Sequence, residues 1–440
     1  MRKLLLSVIL VAGVAVSCQR EPLVVAPPDN QSIEVVTSEY AIGEEEALAR
    51  LDSFMAQFEG ATRSTSRRVR SISHVSYEDV HVGTRSSEEL DVENLLYIVE
   101  FEDGQGSAII GADERVEPVY AVLDETVLTI EDFNNAANGT NTDDIRTFTA
   151  GMIAETASLD FSSIPIGPPT PITPPDVPTF DVVMYETDSI MTRIMPLLNT
   201  KWGQDSIYND ACPRINGQEC LAGCGPIAAA QILNYNATPS QPRINGRTHS
   251  WDDISQFRHN NIAAISDSTL IMKIAQFIAD IGEEMDAEYG LARTSTSDAE
   301  TARFFRRFGY RGVSLTSIDE DEIVQMLDNS KPVFIRATDT IEGGGHAWVL
   351  DGRIHLQITT HKVTYRNGAL ISRELYSSYI NRYMHCNYGW DGDCDGYYFY
   401  NIFDLRVPRE GMLIDTLCGD NTFVRPRAYV QDVKIITYNL

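Results

Sequence analysis

The sequence predicts an α+β protein in two folded parts, a smaller one over residues 19–162 and a larger one over 190–440. Three observations carry this. Apolar residues recur at helical spacing in two stretches: Ala47, Leu48, Leu51, Phe54, Met55 and Phe58 within 43–58, and Ile271, Ile274, Ala275, Phe277, Ile278 and Ile281 within 268–281. Between 95 and 130 the pattern is that of strands: Leu95, Tyr97, Val99 and Phe101 alternate with Leu96, Ile98, Glu100 and Glu102, and Gly104 marks a turn before Ala108, Ile109 and Ile110. Finally, six prolines fall within residues 163–176, a composition that favours extended polyproline geometry and cannot join a core. Residues 163–189 therefore read as a linker, and as an exposed, unpacked region over 163–195 open to proteolytic cutting.

Taken in order, the chain opens with Arg2 and Lys3 ahead of a largely apolar run of 13 residues, Leu4–Val16. That run is shorter than the ~20 residues that span a bilayer and suits a signal segment, residues 1–18. Val14–Cys18 resembles a bacterial lipoprotein signal, which predicts export and a lipid on Cys18 at the bacterial envelope or cell surface. Residues 61–71 place Arg63, Arg67, Arg68 and Arg70 among serines and read as a loop. A second helix is predicted over 142–156. The formal net charge is -28, from 63 acidic and 35 basic residues. Such a surface excludes nucleic acid as a partner and excludes anionic lipid held by protein charge, since both need a basic face. Membrane attachment is left to the lipid on Cys18. Seven cysteines in an exported chain permit disulfides, with a pairing among Cys212, Cys220, Cys394 and Cys418 left open.

Chemistry concentrates after residue 190. In Leu221–Leu233 (LAGCGPIAAAQIL), alanines with Ile and Leu predict a buried helix over 225–236, and Pro226 fits only its first turn. Cys224 then sits at the helix N-terminus, where the dipole favours a thiolate, and its small neighbours leave room for a substrate backbone. A structural or disulfide-bonded cysteine is the competing reading. His346 follows Gly343, Gly344 and Gly345 and opens a strand next to the apolar run 331–337, so it can project into a cleft as the base for a thiol. Asn387, later in chain order, can hold that imidazole in one tautomer, and Gly389, Gly392 and Gly396 make tight turns around it. Asp391, Asp393, Asp395 and Gly396 also spell the start of a calcium loop, but Ile402 stands where its closing Glu belongs, so no metal site is predicted.

These three segments together resemble the streptopain (C10) family of papain-fold cysteine proteases. Ala222–Cys224 with Ala229–Ile232 is similar to that family's nucleophile helix. Gly344–Ala347 with Asp351 and Gly352 is similar to its histidine strand. Asn387–Trp390 with Asp395–Tyr397 is similar to its Asn-Trp-Gly-Trp-Gly turn, although Tyr388 stands where Trp is usual, and Gly225-Pro226 replaces the commoner Val-Ala. Residues 97–116 resemble the family's inhibitory propeptide.

The resemblance implies a papain-like catalytic domain over 190–440, with a helical lobe and an antiparallel sheet lobe, preceded by a small α+β propeptide acting as intramolecular inhibitor over 19–162. It implies a cysteine endopeptidase made as a zymogen, acting on protein or peptide substrates with no cofactor. Cys224 would be the nucleophile, His346 the base, and Gln204 the oxyanion donor. Asn387 or Trp390 would support His346, while Ser295 and Gly345 would contact the substrate backbone. The alternatives are a papain-fold acyltransferase or transglutaminase, and a non-catalytic surface binding protein.

Overall fold

The computed structural model describes residues 40–58, 67–80, 94–141, 144–162, 181–258, 265–338, 345–366, 369–403 and 431–440. All of them lie in one compact unit spanning residues 37–440. The signal run, Cys18, most of the proline-rich segment, Gly343, Gly344 and Cys418 lie outside the described residues.

The centre of the molecule is one antiparallel sheet of eleven strands: β1 (Val69–Ser76), β2 (Asn94–Phe101), β3 (Ser107–Gly111), β4 (Val119–Leu123), β5 (Asp181–Ile194), β6 (Arg311–Ser317), β7 (Val333–Thr338), β8 (Gly345–Arg366), β9 (Ala369–Asn387), β10 (Gly396–Phe399) and β11 (Gln431–Asn439). Their order is β1-β2-β3-β4-β10-β9-β8-β7-β11-β6, with β5 alongside the far half of β8. Among the described residues seven helices have nine or more residues: α1 (Glu44–Phe58), α2 (Ile130–Asn138), α3 (Ile145–Ser162), α4 (Cys224–Asn236), α5 (Ser268–Glu284), α6 (Asp298–Arg307) and α7 (Glu320–Asp328); six of them pack on the sheet, and α5 packs on α4. The sequence periodicities are realised in α1, where Ala47, Leu51, Phe54 and Met55 are buried, and in α5, where Ile274, Ala275, Phe277, Ile278 and Ile281 are buried. Asp267 caps α5 by accepting from the N–H groups of Thr269 and Leu270, which satisfies donors that a helix start leaves open.

The two predicted parts share one sheet. Gly396, Tyr397 and Tyr398 of β10 pair with Leu123, Val122 and Ala121 of β4. A side chain at Gly396 would meet the Val122 carbonyl oxygen at 2.4 Å, so only glycine allows the strands to close there.

Three expectations change. Residues 69–71, read as part of an exposed basic loop, belong to β1 and pair with β2, because Ile72 and Val75 bring the strand onto the core. Ile130, read as the end of a strand region, instead opens α2, started by a capping box between Thr129 and Asp132. The region 163–195 is not unpacked throughout: residues 181–194 form the fourteen-residue strand β5, paired along its length with Arg353–Arg366 of β8. The predicted boundary at 189/190 therefore falls inside a strand, whose β-prone Val182, Val183, Tyr185, Thr187 and Ile190 the upstream prolines had masked.

Candidate active site

Cys224 is the first residue of α4, and the helix entry explains its surroundings. Gly223, at φ +93°, occupies backbone space that side-chain residues avoid. A Cβ there would lie 2.9 Å from Thr294 Cγ2, and one at Gly225 would lie 2.3 Å from Thr296 Oγ1. The small neighbours of Cys224 thus admit the 294–296 segment. Cys224 itself is half-buried.

His346 is the second residue of β8 and lies opposite Ala337 of β7. The strand is buried from Ala347 to Ile354 because β7 and β9 flank it and α4 packs on it, so His346 stands where the buried run reaches the cleft. Its Nε2–H donates to the Tyr388 carbonyl oxygen at 2.9 Å. That bond leaves Nδ1 as the basic nitrogen of the neutral ring. Trp348, two residues on and therefore on the same strand face, stacks on the imidazole at 6.1 Å and 13° between planes. Gly345 precedes it, where a Cβ would strike the Ala337 carbonyl oxygen at 2.6 Å.

Cys224, His346, Gln204, Ser295, Gly345 and Trp390 all line one cavity of about 400 Å³. Asn387 does not. Its amide is buried behind the site, donating to the Thr200 carbonyl at 2.7 Å and accepting from Gln231 at 2.9 Å, and the acceptor for His346 is the Tyr388 backbone. A backbone carbonyl carries no sequence signal, which is why Tyr388 O was missed. Gln204 is nearly fully buried, and its carbonyl accepts from Ala222 two residues before the nucleophile. Asp391, Asp393 and Asp395 diverge: Asp391 packs against Gly203, Asp393 takes Thr126 and Arg146, and Asp395 accepts from the Tyr388 N–H. Among the described residues Cys212, Cys220, Cys224, Cys386 and Cys394 carry free thiols.

The same cavity is lined by Ile145 and Phe148 of α3, from the N-terminal part of the chain. Phe148 stands 5.9 Å from the His346 ring and 6.2 Å from Trp348, so the imidazole is enclosed by aromatic surface. The electrostatics follow. Burial pushes the His346 pKa down to about 4, against the raising effect of its bond to Tyr388. Burial pushes the Cys224 thiol up, while the backbone N–H groups of Ala347, Gly225 and Cys224 and the Arg336 charge pull the other way. The sequence expectation of a lowered thiol pKa is not met in this state, because enclosure outweighs the helix dipole. Thiol and imidazole are both neutral at pH 7.

Away from the cavity, His385 of β9 lies between Asp351 of β8 (Nδ1 to Oδ1, 2.6 Å) and Asp124 from the N-terminal part (Nε2 to Oδ2, 3.3 Å). Burial opposes its charge, but the two carboxylates outweigh burial and raise its pKa to about 10. A raised pKa contributes stability that is complete below the ordinary histidine value and is lost as pH rises through the folded value. The thermal midpoint of the full chain is therefore expected to fall from about pH 6.5 to pH 10, and His385→Gln should flatten that slope while costing about 3–5 kcal/mol at neutral pH. A wild-type curve that is flat over this interval would remove the charged-histidine assignment.

The family model described as the peptidase C10 family matches residues 202–398. Streptopain of Streptococcus pyogenes serotype M1 is 25% identical over 246 residues, covering 47% of this chain and 55% of the relative. Streptopain of serotype M28 is 25% identical over 247 residues with the same shares. The chain thus spans about half the length of the curated relatives it matches. In three dimensions a fragment of Prevotella intermedia prointerpain A superposes with a TM-score of 0.50 at 16% identity, over 84% of this chain and 98% of that one, which shows a shared fold.

Proposed function

We propose that this chain, whose residues 202–398 match the peptidase C10 family, is a cysteine endopeptidase held inactive by its own N-terminal part and acting on proteins or peptides. The observation that carries this reading is that Cys224, at a helix N-terminus, and His346, with Nδ1 basic, line one cavity with Gln204.

In the proposed reaction the Cys224 thiol passes its proton to His346 Nδ1 and the sulfur attacks the peptide carbonyl. The Cys224 N–H and the Gln204 side-chain amide receive the oxyanion. The intermediate collapses as His346 returns the proton to the leaving amine. Water, deprotonated by His346, then hydrolyses the thioester and restores the thiol. Ser295 and Gly345 are assigned to the substrate backbone from their place on the cavity wall. Trp390, on the same wall, shields the imidazole, and Asn387 acts on it only through the backbone it anchors.

The N-terminal part is assigned the inhibitory role on the ground that α3 puts Phe148 against His346. It is held by polar contacts with the catalytic part: Glu117 accepts from Asn381 and Tyr383, Thr126 and Arg146 take Asp393, and Asp124 takes His385. Maturation would cut these two parts from one another. Export with a lipid on Cys18 rests on the Leu4–Val16 run, and cutting would leave that lipid behind with the N-terminal part.

The test is reaction of the full chain, before and after limited proteolysis, with an iodoacetamide-type probe or the epoxide E-64, mapped by mass spectrometry. We expect one dominant adduct, on Cys224, that appears mainly after proteolysis and is lost in His346→Ala. Absence of a Cys224 adduct in the proteolysed, folded sample would overturn the peptidase reading.

A further inference from the structure

Behind the cavity, three buried polar side chains close a ring of hydrogen bonds. The Thr200 hydroxyl donates to Gln231 Oε1 at 2.6 Å, Gln231 Nε2 donates to Asn387 Oδ1 at 2.9 Å, and Asn387 Nδ2 donates to the Thr200 carbonyl at 2.7 Å. All three residues are less than 5% exposed, and Gln231 is fully buried. The Trp202 N–H also points at Gln231 Oε1 (3.5 Å), and the Gly389 N–H at Asn387 Oδ1 (3.3 Å). These donors fix which way each amide faces, because a flipped amide would set N–H against N–H.

The ring joins three pieces that the proposed reaction needs in register. Thr200 and Trp202 lead into Gln204. Gln231 lies two turns along α4 from Cys224. Asn387 and Gly389 bracket Tyr388, whose carbonyl takes the His346 proton donor. We propose that Gln231 is a positioning residue: its side-chain amide, through Asn387, sets the Tyr388 carbonyl that orients His346, and through Thr200 and Trp202 it sets the approach of Gln204. This rests on the peptidase reading above. A buried glutamine in a ring with no spare partner is costly unless each bond is made, so removing one member displaces the others instead of leaving them in place.

The experiment measures the pH dependence of Cys224 alkylation by iodoacetamide in the full chain, before and after limited proteolysis, for wild type, Gln231→Met, Gln231→Glu and Thr200→Val. The Tyr388 acceptor favours the imidazolium, so its loss in Gln231→Met should lower the rate at pH 7 by about tenfold and move the histidine limb of the profile to lower pH. Peptide hydrolysis should fall in kcat with KM little changed. Gln231→Glu should approach wild type at acid pH, where a protonated carboxyl can still donate to Asn387, and fall as that carboxyl ionises. Thr200→Val opens the ring at one bond and should show the same shift at smaller amplitude, which keeps the test alive if Gln231→Met does not fold. An unmoved histidine limb in every folded variant, with wild type labelled normally, overturns the positioning role and leaves the peptidase reading intact. A wild type that never labels at Cys224 overturns the peptidase reading itself.

Discussion

Cys224→Ala is expected to lower peptide hydrolysis by about 10⁴- to 10⁶-fold, the range seen when a nucleophile that works as a unit with its base is removed. The loss should be in kcat, because the cavity walls that hold a substrate, among them Ser295, Gly345 and Trp390, stay in place. The fold should survive, since Cys224 is half-buried and Ala suits the first turn of a helix. Circular dichroism and a thermal scan separate the two effects. Residual hydrolysis within tenfold of wild type in a folded sample would move the chemistry away from Cys224. The same variant reports on maturation: if the full chain cuts itself, Cys224→Ala should keep its N-terminal part indefinitely, and loss of that part without added protease would rule out self-cutting.

Phe148→Ala is expected to have the largest effect in the opposite sense. The Phe148 ring is 5% exposed and closes the aromatic wall around His346. Deleting it should cost about 3–5 kcal/mol of stability through lost burial and the cavity left behind. It should also admit water to the imidazole. The pKa of His346 then rises from about 4 toward its ordinary value. That shift favours the ion pair at pH 7, so alkylation of Cys224 in the uncut chain should speed up by about tenfold or more. The sign distinguishes this from simple destabilisation when the rate is measured well below the unfolding transition. A rate equal to wild type would mean that something other than α3 keeps the pair neutral.

Much of the fold was legible in the chain. The helices α1, α4 and α5 follow from apolar spacing and from Pro226 at a helix start, and β2 and β3 follow from alternation around Gly104. These are local signals, each complete within one turn or one strand. Cys224 at its helix end and His346 at its strand start were readable for the same reason: both depend on their immediate neighbours. Five of the other expected residues could be placed only by type and order. Four of them, Gln204, Ser295, Gly345 and Trp390, meet on the cavity wall, while Asn387 turns away into the ring with Gln231 and Thr200.

By itself, then, the sequence determined the candidate residues for the chemistry and those helices and strands whose signals are local. Tertiary structure alone decided four things. It made the two parts share a sheet through the β4–β10 pairing, and it turned residues 181–194 into a strand because β8 offered fourteen partners. It gave His346 a backbone carbonyl as its acceptor. It also set the charge state of the site, since a thiol and an imidazole are ionised or neutral according to what encloses them. For the imidazole, part of that enclosure comes from Phe148, nearly two hundred residues away in the chain, and no local pattern around His346 encodes it.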